Sequence, residues 1–313
     1  MQNKNDKSLF GIDINEYSQD VRFEVLATTI DFLYLRSSGS GSGKFRVDKK
    51  FLEYAIKARE FKIPVGAYHY ALPSYDLNTA DSQCDDFINV LQQGFGYKDY
   101  GELFPVIDVE APIDNKITTE ALINWIDRFR KRFEKKTRRR LMLYTGSFFI
   151  ELYNNFYIQG RGYPLKNMPL WIAMYTDIPN NPPYPQNQGG WTKWRIWQFR
   201  ENLTVKGVGN VVDANWGPNN IELLMQPSII RNLRVTDQGN QLVITWDKVN
   251  DVDLLGYNLF ENNYWIGTVD AKDTEFVIQK KELPVPFRKG IKISIEAFDY
   301  DGDTSKKRAQ VEI

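Results

Sequence analysis

The sequence predicts an α/β protein in two parts. Residues 1–222 form an irregular (β/α) barrel of about eight strands with fewer helices than strands, and residues 227–313 form a small all-β, immunoglobulin-like sandwich. Three observations predict this. From residue 9 to about residue 217, short apolar runs alternate with amphipathic helical segments, as in successive strand–helix units around a mainly parallel sheet. Past Gln226 the helical spacing disappears and short alternating strands follow without helices. A chain of 313 residues exceeds one typical domain and accommodates a barrel of roughly 220 residues plus a small module.

The barrel strands are expected at residues 9–14, 32–36, 64–70, 103–109, 140–145, 170–175, 195–199 and 210–214. Phe51, Tyr54, Ala55 and Ala58 recur at i, i+3, i+4 and i+7 and define a helix, with Asp48 as its cap. A second helix carries Ala80, Cys84, Phe87, Ile88 and Leu91 on one face. A third, over residues 118–137, presents Ala121, Leu122, Trp125, Ile126, Phe129 and Phe133, and its basic exit Arg138-Arg139-Arg140 reads as solvated. Residues 179–190, rich in Pro, Asn and Gly, read as a long loop at one rim. No helices accompany the last two strand regions, so the barrel is expected to depart from eight regular repeats. In the sandwich, strands are expected at residues 229–235, 241–246, 256–261, 264–268, 274–278, 291–298 and 306–313.

Composition excludes several functions. The 40 basic and 40 acidic residues leave no net field to draw the chain onto nucleic acid or an anionic membrane. The first eight residues are polar, with no apolar signal core, and no run is long enough to insert in a bilayer. Export is therefore expected by another route: a phage lysin released through a membrane pore, a virion component, or a secreted form trimmed of its signal. One histidine, His69, and one cysteine, Cys84, cannot supply the ligands of a zinc hydrolase, so no metal or other cofactor is expected. Cys84 lies on an apolar helix face and reads as a buried thiol, not a nucleophile. His69, between two tyrosines on a strand, reads as a hydrogen-bonded structural residue.

Carboxylates remain. In Pro105-Val106-Ile107-Asp108-Val109-Glu110 an apolar strand ends in two acids two residues apart, which project to one face while Val109 points away. Catalytic groups of such barrels sit at this carboxyl rim. Asp13 occupies the comparable place after Phe10-Gly11-Ile12, and Asp213, after Val211-Val212, is expected near the end of the last strand. Crowded acids cannot all ionise, and glycosidic cleavage needs a neutral acid beside a carboxylate. The aromatic content of 14% suits stacking on sugar rings as well as core packing.

These segments resemble the lysozymes of glycoside hydrolase family 25, the Chalaropsis-type muramidases. The resemblance runs through Gly11-Ile12-Asp13-Ile14, Val65-Gly66-Ala67-Tyr68-His69-Tyr70, Asp108-Val109-Glu110, Leu143-Tyr144-Thr145-Gly146, Leu170-Trp171-Ile172-Ala173, Ile196-Trp197-Gln198-Phe199 and Val212-Asp213-Ala214-Asn215. It implies metal-free hydrolysis of the β-1,4 bond between N-acetylmuramic acid and N-acetylglucosamine in peptidoglycan, the expected partner. It further implies Glu110 as proton donor, and Asp108 as support for the oxocarbenium or for internal attack by the 2-acetamido group. Asp13 and Asp213 match the flanking acids. Tyr68, Tyr144, Tyr175, Trp171 and Gln198 lie at the same strand ends and either line the sugar groove or pack the core. The chain departs from the family after Arg36, where residues 37–43 read as a flexible Ser/Gly loop.

The carboxyl-terminal part resembles a fibronectin type III module through Leu242-Val243-Ile244-Thr245-Trp246 and Ile293-Ser294-Ile295-Glu296-Ala297, with Ile291 in place of the corner tyrosine. Its expected partner is a wall polymer or a virion protein, or it is only a spacer. Tyr264 and Trp265 are expected to be exposed, and either pack within a hairpin or contact glycan. Three readings follow for the whole: an active muramidase acting on the bacterial cell wall, a weak or inactive glycan-binding barrel, and a virion part whose lytic activity is secondary to assembly.

Overall fold

The structure is a computed structural model describing residues 1–114 and 116–313. It divides into two compact units, Met1–Leu224 and Met225–Ile313. The first contains strands β1 (Phe10–Ile14), β2 (Phe32–Gly39), β3 (Arg46–Val47), β4 (Val65–Tyr70), β5 (Val106–Asp108), β6 (Met142–Gly146), β7 (Leu170–Ala173), β8 (Ile196–Leu203) and β9 (Val212–Trp216). Its helices are α1 (Phe23–Leu26), α2 (Phe51–Glu60), α3 (Asn78–Phe95), α4 (Thr119–Thr137) and α5 (Ser147–Leu152).

Eight strands close a barrel in the order β1-β2-β4-β5-β6-β7-β8-β9, with β9 returning to β1 and β3 held outside as an antiparallel flap on β2. The pairs from β1 through β8 are parallel, whereas β9 runs antiparallel to both neighbours. An antiparallel return needs no crossover helix, which accounts for the missing helix between β8 and β9. The reversal also corrects the expected position of Asp213. It stands near the start of β9, and the start of a reversed strand lies at the same rim as the ends of its parallel neighbours.

The two long helices form as their apolar spacing requires. In α4 the Thr118 hydroxyl accepts from the Ala121 N–H at 3.2 Å, and Leu122, Trp125, Ile126, Phe129 and Phe133 are buried. Helix α3 buries Ala80, Cys84, Phe87, Ile88 and Leu91. Burial pushes the Cys84 thiol up to about 12, so it is an inert core group. His69 is fully buried, shares hydrogen bonds with Ser38 Oγ (2.9 Å) and Gln83 Oε1 (3.2 Å), and is lowered to about 4 by burial.

Three local expectations are corrected. Residues 37–39 belong to β2, and Ser37, Ser38 and Ser40 are buried; the segment is anchored by Ser37 Oγ donating to the Tyr68 carbonyl. A Cβ at Gly41 would lie 2.4 Å from a ring carbon of Tyr70, so a glycine there lets this chain pack on the tyrosine. The basic exit of α4 is not solvated throughout: Arg139 is 2% exposed and donates to the carbonyls of Gly101 (2.9 Å) and Leu103 (3.1 Å). Helix α2 has no side-chain cap, because Asp48 lies two residues before the N-cap, Lys50, and is engaged by Arg36 (2.9 Å) as well as the Lys50 N–H (3.0 Å). Residues 179–190 lack helix and strand, as their composition requires.

The second unit has two antiparallel sheets. One contains β10 (Arg234–Gln238), β11 (Gln241–Thr245) and β14 (Glu275–Gln279); the other contains β13 (Tyr264–Asp270), β12 (Leu254–Glu261), β15 (Lys292–Asp299) and β16 (Ala309–Glu312). Its core joins Leu242, Ile244, Trp246, Tyr257, Leu259, Ile293 and Ile295. Tyr264 and Trp265 are exposed on β13, as expected, and the Trp265 indole donates to Thr268 Oγ1 of the same strand at 3.1 Å.

Gly256 in β12 tests this packing. A Cβ there would stand 2.4 Å from the Val269 carbonyl oxygen, a backbone atom of the paired strand that cannot rotate away. Gly256→Ala is expected to destabilise the sandwich by about 1–3 kcal/mol, read as an earlier unfolding transition in calorimetry. An unchanged transition would show that β12 and β13 separate without penalty.

Candidate active site

The four acids predicted from sequence meet at one mouth of the barrel. Asp13 is the last residue but one of β1, Asp108 ends β5, Glu110 follows two residues later and Asp213 is the second residue of β9. Together with Tyr68, Tyr144, Trp171 and Gln198 they line a pocket enclosing about 300 Å³. Strand alternation places Asp108 and Glu110 in this pocket while Val109 is buried in the hydrophobic core. The Asp108 backbone is clamped on both sides: its carbonyl accepts from Ala71 N–H (2.9 Å), and Val109 N–H donates to the Tyr144 carbonyl (3.0 Å).

Asp13 is fixed by amides. Its Oδ2 accepts from Gln198 Nε2 at 3.0 Å and Asn215 Nδ2 at 2.8 Å. Gln198 is oriented by the hydroxyls of Tyr144 (2.8 Å) and Tyr175 (2.9 Å), which donate to its Oε1, and Asn215 by the Trp171 indole N–H at 2.8 Å. Trp171 is buried against Tyr34, Tyr68 and Tyr144 and forms the pocket floor. The predicted lining residues therefore divide: Tyr68, Tyr144, Trp171 and Gln198 surround the acids, while Tyr175 reaches them through Gln198 and lines an adjoining groove. Asn215 lies in the block Val212-Asp213-Ala214-Asn215 but is not among the predicted site residues, because an amide by itself points to no acid–base chemistry. Its signal was the alternation from Asp213, which puts both residues on one face of β9.

Removal from water and mutual repulsion hold all four carboxyls above their ordinary range. Burial dominates at Asp108, which is 5% exposed, and Glu110 and Asp13 add to it; one Asp108 oxygen, Oδ1, has no hydrogen-bond partner among the described residues. Burial and then Asp13 raise Glu110. Asp13 is raised by burial against the opposing effect of its hydrogen bonds to Asn215, Gln198 and Asp213. Asp213 is pushed up to about 9 by burial and by Asp13, opposite it in the β1–β9 register. Asp13 already accepts two amide hydrogens, so the proton shared by this pair resides on Asp213. The site thus holds neutral acids and carboxylates side by side.

A groove of about 1190 Å³ leads away from the pocket and shares Glu110 and Tyr144 with it. Among the described residues no group of three or more His, Cys, Asp or Glu is disposed to hold a metal ion.

A closed barrel bearing a neutral acid beside carboxylates at the mouth of an elongated groove is the arrangement of a glycoside hydrolase. The chain belongs to glycosyl hydrolases family 25, whose family model matches residues 12–208. It is similar over almost its whole length to the Clostridium perfringens spore cortex lytic enzyme SleM, with 56% identity, 99% of each chain covered and a TM-score of 0.95. Lysozyme M1 of Streptomyces globisporus is 26% identical over 66% of this chain and 66% of its own length. The N,O-diacetylmuramidase of Arthroderma benhamiae is 28% identical over 66% of this chain and 83% of its own.

Proposed function

We propose that this glycoside hydrolase is an N-acetylmuramidase that cleaves the β-1,4 bond between N-acetylmuramic acid and N-acetylglucosamine in the bacterial cell wall. The observation that carries the reading is the position of Glu110. It lines both the carboxylate pocket and the groove, and burial keeps its acid form to higher pH than an ordinary glutamate. Glu110 protonates the leaving glycosidic oxygen as its bond to the anomeric carbon breaks, and water supplies the hydroxyl that caps that carbon and the proton that restores Glu110. Asp108 faces the same pocket, where its ionised form is costly until a cation stands beside it. Positive charge developing at the anomeric carbon is that cation, so the stabilisation by Asp108 is greater in the transition state than in the ground state. Asp13 and Asp213 hold the second proton of the cluster, and the Tyr144–Gln198–Asp13 chain fixes the site for the sugar. The activities of the muramidase and lysozyme relatives support this reading, as does the likeness to SleM.

The test is the identity of the new chain end. Purified peptidoglycan digested with the protein and then reduced with borohydride is expected to yield fragments ending in reduced N-acetylmuramic acid by mass spectrometry. Fragments ending in reduced N-acetylglucosamine would overturn the bond assignment.

A further inference from the structure

The groove beside Glu110 is chemically one-sided. It adds two further carboxylates, Glu151 of α5 and Glu201 of β8, both exposed, and no lysine or arginine is among its described lining residues. Neither glutamate takes part in an ion pair among the described residues. The field of Glu201 extends into the pocket, where it contributes to holding Asp213 and Tyr175 up. The same groove offers apolar surface: Phe148 is 60% and Ile178 48% exposed. An uncharged N-acetylated pyranose finds flat surface and amide groups there. A carboxylate finds like charges and no cation. A second pocket, at the ends of β2 and β4, carries both signs of charge instead: Arg36, Arg46 and Asp48 line it, and the arginines are paired with Glu16 and Asp48.

Building on the muramidase reading, we propose that Glu151 and Glu201 are specificity-determining residues that make this groove a charge filter. It accepts glycan whose sugars there are uncharged and disfavours sugars bearing substituents that end in free carboxylates, such as unamidated peptide stems. The interaction spans a solvated groove, so discrimination is expected to be modest and salt-sensitive. A threefold to tenfold difference in kcat/KM, roughly, is the scale of like charges at partly exposed sites, and it fades as the screening length falls below about 8 Å.

The test compares two matched muropeptide oligomers, one with free and one with amidated stem carboxyls. Wild-type protein and E151Q/E201Q are assayed at low and high ionic strength. Wild type is expected to favour the amidated oligomer at low salt, with the ratio falling towards one at high salt and in the double variant. A wild-type ratio of one at low salt would overturn the inference. So would a ratio fully retained by a double variant whose unfolding temperature is unchanged. Cleavage of neither oligomer would overturn the muramidase reading itself, and this inference with it.

Discussion

Glu110→Gln is expected to abolish most wall lysis while leaving the fold intact. Glutamine preserves the size and much of the hydrogen-bonding capacity of the side chain but cannot give up a proton to the leaving oxygen. General acid catalysis contributes about 10²–10⁴-fold to such reactions, and kcat is expected to fall by that order with little change in KM. Stability is expected to rise slightly or stay level, because the substitution removes one member of a crowded acid cluster. Release of reducing ends from purified walls, measured beside circular dichroism of the variant, is the check. Near-normal lysis by a folded Glu110→Gln protein would show that another carboxyl is the acid. The pH profile carries the same assignment. Glu110 is held above its ordinary value by burial and then Asp13, so its acid form, and with it activity, persists to higher pH than for a solvated glutamate and is lost as pH rises through the shifted value.

Much of this site was legible in the sequence, for identifiable physical reasons. Strand periodicity of two forces Asp108 and Glu110 onto one face whatever the tertiary fold, so their convergence could be read from six residues. Asp13 followed from the same rule at β1. Asp213 reaches the same mouth at the start of a reversed strand and not at the end of a parallel one, and the sequence reads equally well with β9 in either direction. Only pairing to both β8 and β1 fixes its reversal. The Ser/Gly segment after Arg36 misled because composition reports the freedom of a chain and not its neighbours. Ser37 and Ser38 are held by the carbonyl of Tyr68 and the ring of His69, some thirty residues away. Arg139 misled in the same way, because the carbonyls that receive it belong to a loop before β5. Local patterns thus located the acids, and long-range hydrogen bonding decided which polar residues support them.

Asp213→Asn is expected to stabilise the protein increasingly as pH rises, while impairing catalysis. In the folded chain the Asp213 carboxyl is raised to about 9 by burial and the nearby Asp13, whereas in the unfolded chain it returns to its ordinary value near 3.8. Below pH 4 both states hold the proton and the group has no effect on the pH slope. Between pH 4 and 9 the folded state binds more protons than the unfolded one, so wild-type stability falls as pH rises, and above 9 the slope vanishes again. Asparagine removes this titration yet keeps an N–H that can donate to Asp13. The difference in unfolding temperature between variant and wild type is therefore expected to be small at pH 4, to widen through neutrality and to level off near pH 9. From pH 4 to neutrality the widening is on the order of 4 kcal/mol, the cost of keeping the Asp213 carboxyl protonated in the folded chain where it ionises in the unfolded one. Activity is expected to move the other way, because an amide cannot pass a proton within the cluster, and such stability–function trade-offs are usual where active sites store repulsion. A melting-temperature difference that stays constant from pH 4 to 9 would show that Asp213 titrates alike in the folded and unfolded chains, and that the proton shared at the mouth of this barrel resides on another of the acids.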